Sequence, residues 1–252
     1  MNTIINHSKK SEAINRILTI LFVCFSVLSI NAQLGVQSYL DAGKNNVSEG
    51  VYLKSALRAD YGLEDYHFET GIQFDLIHNN PKVLSAFDFV GGRNLAIKEF
   101  PIDVKAFFLL NRFSDLLHEI NWGLRAGTIK FEHWNLELGT NSKTYVINRG
   151  VRERFGLENS RNRVTEALDL TYLVTYLLMP HENDWNVGLS LTNVDYFLVN
   201  QSTNPSFKLL SYYKPIPKLT VNLSARYHQA AIFNIYSSHF GFIIRGGARW
   251  EI

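Results

Sequence analysis

The sequence has 252 residues, with 25 lysine and arginine side chains, 23 aspartate and glutamate side chains and a single cysteine. This length accommodates one sizeable domain, and the lone cysteine excludes a disulfide framework or a thiolate metal site. The near balance of charges argues against a nucleic-acid-binding protein, in which a basic excess is usual.

Residues 1–32 have the composition of an export signal. Lys9, Lys10 and Arg16 form a basic start, and an apolar run follows over residues 17–30. This run is too short to span a bilayer with ordinary flanks, and residues 29–32 offer a cleavage site. We predict a cleaved signal peptide over 1–32 and an exported domain over 33–252.

Two alternatives to cleavage remain open: an uncleaved membrane anchor, and a lipoprotein acylated at Cys24. Phe22 and Val23 are bulky where a lipoprotein signal has small residues, which disfavours the second alternative. Cleavage would remove three basic side chains and one acidic side chain, so the exported domain would carry 22 of each and no cysteine.

The exported domain alternates apolar and polar residues in one segment after another. In residues 219–227, for example, leucine, valine and alanine alternate with threonine, asparagine, serine and arginine. Alternation with a period of two is typical of β-strands, since successive side chains point to opposite faces. We predict about twelve strands, near residues 34–42, 51–61, 66–76, 83–90, 102–110, 117–126, 129–139, 168–178, 185–191, 207–213, 219–227 and 239–252. The phase slips within 129–139, where we predict a β-bulge near Glu132.

The last segment, 239–252, shows the pattern most clearly. Phe242, Ile244 and Trp250 lie on one face, and Arg245 and Arg249 lie on the other. This segment resembles the closing strand of a Gram-negative outer-membrane β-barrel. The exported domain as a whole resembles a small outer-membrane barrel of the Bacteroidota type.

The strand pattern favours an all-β fold: a single antiparallel transmembrane β-barrel of about twelve strands. The segments approach the nine to eleven residues that cross a bilayer at a tilt, and aromatic residues fall near their ends, as in interfacial girdles. A secreted or periplasmic β-sandwich or half-open barrel is the alternative. The resemblance implies an outer-membrane location and, as partners, outer-membrane lipid, lipopolysaccharide and the barrel insertion machinery. We expect no nucleic-acid partner, no cofactor and no metal.

The connections between strands test the barrel independently, because outer-membrane barrels have short periplasmic turns and longer outer loops. If the first strand starts in the periplasm, the odd-numbered connections face outward, and on the predicted boundaries these are the longer set. The exception is the even-numbered connection 91–99.

Many charged residues have the parity of the polar, inward face. We predict that they form a polar network in the lumen, either as ion pairs that hold the strands in register or as a lining that selects a ligand. Buried charges need partners, which favours the first interpretation. The residues are Lys54, Arg58, Glu69, Asp75, Asp103, Lys105, Glu119, Arg125, Glu137, Asp169, Arg226, Arg245 and Arg249.

The connection predicted over residues 140–163 is long and basic. Two interpretations are open. The segment is either a solvated loop or an outer loop that binds phosphate groups of lipopolysaccharide or another anionic glycan. Arginine side chains bind phosphate well, which is the basis of the second interpretation. The candidate residues are Lys143, Arg149, Arg152, Arg154, Arg161 and Arg163, against Glu153 and Glu158.

No catalytic motif is recognisable. Lipid-modifying barrel enzymes need a serine within reach of a histidine, and the nearest arrangement is Ser237-Ser238-His239. Our first functional hypothesis is therefore a non-enzymatic barrel with a narrow or plugged lumen and an exposed outer loop. Bulky residues of inward parity support the plug; they are Tyr52, Phe107, Leu109, Leu173, Leu177 and Ile243. A small-solute pore and a lipid-modifying enzyme are the alternatives.

Overall fold

The computed structural model describes residues 32–45, 51–77, 84–97, 100–111, 117–129, 131–156, 163–165, 169–193, 206–229 and 240–252. Residues 34–252 form one compact unit. The predicted signal peptide lies almost entirely outside the described residues, so its cleavage stays a prediction. None of the described helices is long and apolar enough to cross a membrane.

Strands make up nearly all of the described chain. In chain order they are β1 (Ala32–Asn45), β2 (Tyr52–Leu63), β3 (Tyr66–Asp75), β4 (Leu84–Ile97), β5 (Phe100–Asn111), β6 (Leu117–Thr128), β7 (Trp134–Ile147), β8 (Arg163–Thr165), β9 (Asp169–Leu177), β10 (Trp185–Thr192), β11 (Ser206–Ile216), β12 (Leu219–Gln229) and β13 (Phe240–Glu251). A six-residue helix, α1 (Arg149–Arg154), follows β7.

The strands close into a barrel. Each long strand pairs with the next along the chain, β13 pairs antiparallel with β1, and β6 pairs with β7. Closure satisfies the backbone hydrogen bonds of what would otherwise be edge strands. The predicted fold, a twelve-strand antiparallel barrel, is confirmed.

The short strand β8 does not add a thirteenth position to the ring. It pairs with β7 at Thr144–Val146, whereas β9 pairs with the preceding part of β7, from Trp134 to Asn141. Between the two ladders β7 advances three residues, from Asn141 to Thr144, while its partner spans four positions, from Thr165 to Asp169. Both strands pair antiparallel with successive parts of β7, so β8 and β9 occupy one place in the wall.

The connections are mostly shorter at one end of the barrel than at the other. At the end that holds the chain's first and last strand residues, successive strands are separated by two residues in three places (64–65, 98–99 and 217–218) and by five and seven residues at 129–133 and 178–184. At the opposite end the separations range from five residues, at 112–116, to the 21 residues of 148–168, which include α1 and β8. We call these the short-turn end and the long-loop end.

Two predictions about the connections at the short-turn end were wrong. Residues 91–97 belong to β4, which runs through Gly91 and Gly92 to Ile97, so the exceptional connection shrinks to two residues. The phase slip near Glu132 is a turn between β6 and β7 and not a bulge within a strand: Glu132 has a positive φ of 46°. The backbone reverses there, and the apolar parity restarts with β7.

The barrel has an apolar exterior and a polar interior. Large apolar side chains such as Leu138, Leu189 and Leu223 are more than half exposed on the outside. The fully buried side chains include Asp88, Glu119 and many other polar groups that face the lumen. This inverted arrangement is that of a membrane barrel, in which lipid covers the apolar face.

Candidate functional site in the barrel lumen

One side of the lumen is filled by ion pairs centred on Arg58. Its guanidinium on β2 lies 2.7 Å from the Asp88 carboxylate on β4 and 3.0 Å from Glu69 on β3. Asp88 is fully buried and Arg58 nearly so. Three strands are therefore cross-linked through side chains as well as through their backbones.

The junction between β13 and β1 is held in the same way. Arg245 on β13 donates two hydrogen bonds to Asp41 on β1, at 2.6 and 2.8 Å. Arg249 lies 2.7 Å from Asp60 on β2, to which Gln37 also donates a hydrogen bond. These contacts join the chain's last strand to its first two.

A third group of ion pairs spans β5 and β7. The Lys105 ammonium lies 2.7 Å from Glu137 and 3.3 Å from Asp103, and His67 lies 3.4 Å from the same Asp103 carboxylate. All four side chains are less than one quarter exposed. The inward faces of β13 and of β1 to β5 are called the ion-paired wall below.

A small apolar cluster completes the ion-paired wall toward the long-loop end. Ala56, Ala86 and Leu109 pack together within the lumen, and Tyr39 packs against them. The Arg245 guanidinium lies 5.3 Å from the centre of the Tyr39 ring. Aliphatic and aromatic side chains therefore fill the space that the ion pairs leave on this side.

The opposite side of the lumen has different chemistry. The inward faces of β9 to β12, called the hydroxyl wall below, present short polar side chains that bond to one another and to the backbone. Thr175 donates to Ser190 at 2.9 Å, and Ser206 donates to the carbonyl oxygen of Thr192 at 2.6 Å. Among the described inward side chains from Thr171 to Arg226 there is no carboxylate.

A cavity of about 350 Å³ lies along the hydroxyl wall. Its lining extends from His181, in the turn between β9 and β10 at the short-turn end, to Thr192 and Arg226 toward the long-loop end. This volume falls within the usual range of small-molecule sites, which is about 300–1,000 Å³.

Four basic side chains and one carboxylate are found among the described residues that line this cavity: Arg125, Lys208, Arg226, Arg245 and Glu137. Glu137 is bound to Lys105, which places a further cation beside it. The Arg125 guanidinium lies 4.0 Å from the centre of the Phe107 ring, an attractive cation–π geometry. The lining therefore has an excess of positive charge.

The structure places most of the predicted lumen residues on the inward face. Lys54 is directly opposite Asp75 in the β2–β3 ladder, and Glu119 on β6 is fully buried. Asp169 is at the start of β9, and its side chain lies outside the described residues. The predicted inward bulk is also found, with Phe107 and Leu109 buried; the side chain of Tyr52 is likewise not described.

Sequence reasoning missed several members of the network. Asp41, Asp60, Asp88 and Lys208 all face the lumen and contribute to the ion pairs or to the cavity. Their position in the apolar–polar alternation could have identified them as inward-facing. Asp88, for example, lies between the outward Phe87 and Phe89.

The predicted basic loop over 140–163 was too long at its start. Residues 140–147 belong to β7, and Lys143 is buried on the inward face opposite Asn121, so it cannot belong to an exposed loop. The reason is that β7 continues eight residues beyond Gly139, to Ile147, and pairs there with β6 and β8. Arg163 is the first residue of β8, and Arg161 lies outside the described residues.

The arginines of α1 are at the surface of the long-loop end. Arg149 donates to Glu153 at 2.7 Å across one helical turn, and this hydrogen bond raises the pKa of the Arg149 guanidinium above its usual value. Arg152 and Arg154 occupy the last turn of α1. Binding of an anionic glycan by these residues stays a prediction.

The candidate catalytic arrangement Ser237-Ser238-His239 lies outside the described residues. Two other histidines have structural partners: His133 bonds to the carbonyl oxygen of Leu177, and His118 bonds to the Asn148 side chain. Within the described part of the chain, histidine, cysteine and carboxylate side chains do not assemble in threes at metal-binding distances.

Comparisons with solved structures agree with this architecture. The KdgM porin in complex with disordered oligogalacturonate superposes with a TM-score of 0.51 at 10% identity, covering 86% of this chain and 99% of that chain. The NanC porin gives a TM-score of 0.52 at 11% identity, covering 85% and 100%. The chain therefore shares the barrel fold of these two porins. No protein-family model matches the sequence, and no curated protein matches it.

Proposed function

We propose that this protein is an outer-membrane channel for small polar solutes, with its passage along the hydroxyl wall. The observation that carries the proposal is the cavity that extends along the lumen from His181 toward Thr192. Our first hypothesis, a plugged barrel that serves surface interaction, is not confirmed. The pore alternative fits the porin fold and the cavity better.

The outer-membrane location is supported by the apolar exterior and by the fold. A closed barrel leaves no unpaired strand edge, so its backbone is compatible with the bilayer interior. The ion-paired wall fills one side of the lumen, which limits the passage to small solutes. A catalytic function has no specific observation in its favour.

Reconstitution into planar bilayers tests the channel. Purified full-length protein should produce reproducible conductance steps. Ser190→Trp, which places a bulky ring in the cavity, should lower the step size severalfold. Ser38→Trp is the matched control, because Ser38 is exposed on the outer face of β1 and its substitution should leave the steps unchanged.

Heat-modifiable migration on gels establishes that each variant has folded as a barrel. Absence of conductance in the folded wild-type protein, or equal effects of the two tryptophan substitutions, would contradict the proposed channel.

The long-loop end should face the cell exterior, as the longer loops of outer-membrane barrels do. Trypsin added to intact cells should cleave after Arg152 or Arg154, which lie in this end on α1. Cleavage only after cell lysis would place this end in the periplasm and reverse the orientation.

A further inference from the structure

The cavity contains a pair of like charges at one register position. Lys208 on β11 and Arg226 on β12 are directly opposite each other in the antiparallel ladder, and both line the cavity. Side chains at opposite positions lie about 4.5–5.5 Å apart at Cβ, and like charges there are destabilising. Two other pairs of like charges face each other in the barrel, Lys105 with Arg125 and Asp60 with Glu69. There Lys105 is bound to Glu137, Asp60 to Arg249 and Glu69 to Arg58.

The Arg226 side chain is fixed by hydrogen bonds within the lumen. Its guanidinium donates to the Ser206 hydroxyl at 2.7 Å, and that hydroxyl donates in turn to the Thr192 carbonyl oxygen. Ser206 is fully buried and Arg226 nearly so. This chain of hydrogen bonds fixes the orientation of the guanidinium beside the cavity.

A third cation lies close by on the next strand. Arg226 is opposite Ile243 in the β12–β13 ladder, and Arg245 is two residues further along on the same face. Asp41 holds Arg245 through two hydrogen bonds. Three neighbouring strands thus present cations to one cavity, and the one carboxylate among its described lining residues, Glu137, is bound to Lys105.

We propose that Lys208 and Arg226 form a binding subsite for an oxyanion, the carboxylate or phosphate group of a small solute, and that this subsite makes the channel anion-selective. This inference rests on the proposed channel function. An oxyanion between the two cations would relieve their repulsion and accept charge-assisted hydrogen bonds from both. Charged groups that line a narrow, low-dielectric passage also set the sign of the permeating ion.

The reversal potential in a potassium chloride gradient tests the selectivity. Wild-type protein should favour chloride, and the double variant Lys208→Gln/Arg226→Gln should lose most of that preference. Arg93→Gln is the matched control: Arg93 is an exposed cation on the outer face of β4, above the Tyr66 ring, so the reversal potential should stay at the wild-type value.

Binding provides a readout that does not need conduction. Titration of inorganic phosphate and, separately, of acetate into detergent-solubilised protein should show binding that the double variant weakens about tenfold or more, the usual effect of losing charge-assisted hydrogen bonds. Tighter binding of phosphate than of acetate would identify phosphate as the preferred oxyanion, and the reverse order would identify carboxylate.

The two proposals fail separately. Conductance with a reversal potential that the double variant does not move would overturn the anion subsite and leave the channel intact. Anion binding that depends on Lys208 and Arg226, without conductance, would overturn the channel and keep the subsite. A cation-selective wild-type channel that binds neither anion would also overturn the subsite.

Discussion

The two walls of the lumen belong to one barrel and share one kind of outer face, yet they differ inside. The ion-paired wall carries long charged side chains that meet partners on neighbouring strands, such as Arg58 with Asp88. The hydroxyl wall carries threonine and serine side chains that bond locally, together with the cations Lys208 and Arg226. The cavity lies along this second wall.

On the proposed channel function, the strands that stabilise the barrel and the strands that line the passage are different ones. Buried charges must be paired, and breaking a buried pair from one side costs far more than losing a neutral hydrogen bond. The ion-paired wall should therefore be sensitive to single substitutions, while the hydroxyl wall should tolerate them and control the solute. The following predictions test this division.

The largest effect is expected at Asp88. Asp88→Ala removes the fully buried partner of Arg58 and leaves that guanidinium with the partly exposed Glu69. We expect the free energy of unfolding to fall by about 3–5 kcal/mol, the usual cost of breaking a buried ion pair from one side. Urea titration in detergent micelles, followed by tryptophan fluorescence, measures it.

A double-mutant cycle supplies the control for this prediction. If the cost arises from the stranded charge of Arg58, Arg58→Ala combined with Asp88→Ala should cost much less than the sum of the two single changes. A loss below about 1 kcal/mol for Asp88→Ala alone, the size expected of an exposed pair, would show that the ion-paired wall is not the stabilising one.

The next largest effect concerns the outer face of β12, behind the hydroxyl wall. Leu223 on β12 is more than half exposed on the outside, and its neighbour Ser224 faces the lumen. Leu223→Arg should destabilise the inserted barrel by about 2–4 kcal/mol if it lies near the bilayer midplane. Ser224→Arg should cost less, because the lumen is polar, and equal costs in lipid vesicles would contradict the assignment of the two faces.

The sequence was sufficient for the fold because the strand signal repeats. Twelve segments with the same period, each apolar on one face, specify a barrel even when single boundaries are off by several residues. Parity then placed Arg58, Lys105 and Arg245 in the lumen without any structure. Strand pairing is local along this chain, so the order around the barrel followed from the order in sequence.

The partners within the lumen could not be predicted in the same way. Parity shows that Arg245 and Asp41 both face inward, but their pairing depends on barrel closure between β13 and β1, which brings residues 204 positions apart into contact. The cavity could not be predicted either, because its lining residues come from strands that barrel closure brings together. Lys143 was misplaced because the polar stretch over residues 140–144 of β7 resembles a loop in composition.

The smallest effect is expected inside the hydroxyl wall. Thr175→Val keeps the shape of the side chain but removes the hydroxyl that donates to Ser190 at 2.9 Å. The net worth of a neutral buried hydrogen bond is about 1 kcal/mol, so the free energy of unfolding should fall by about that amount. Thr140→Val on the exposed outer face of β7 is the matched control and should leave stability unchanged or raise it slightly.

The same pair of variants also sharpens the functional side of the comparison, since Thr175 lines the cavity and Thr140 does not. Thr175→Val removes a polar group from the passage without changing its charge, so step conductance should change while the reversal potential should not. Charge selectivity that shifted with Thr175→Val would mean that the neutral side chains, and not the cations opposite each other on β11 and β12, select the solute.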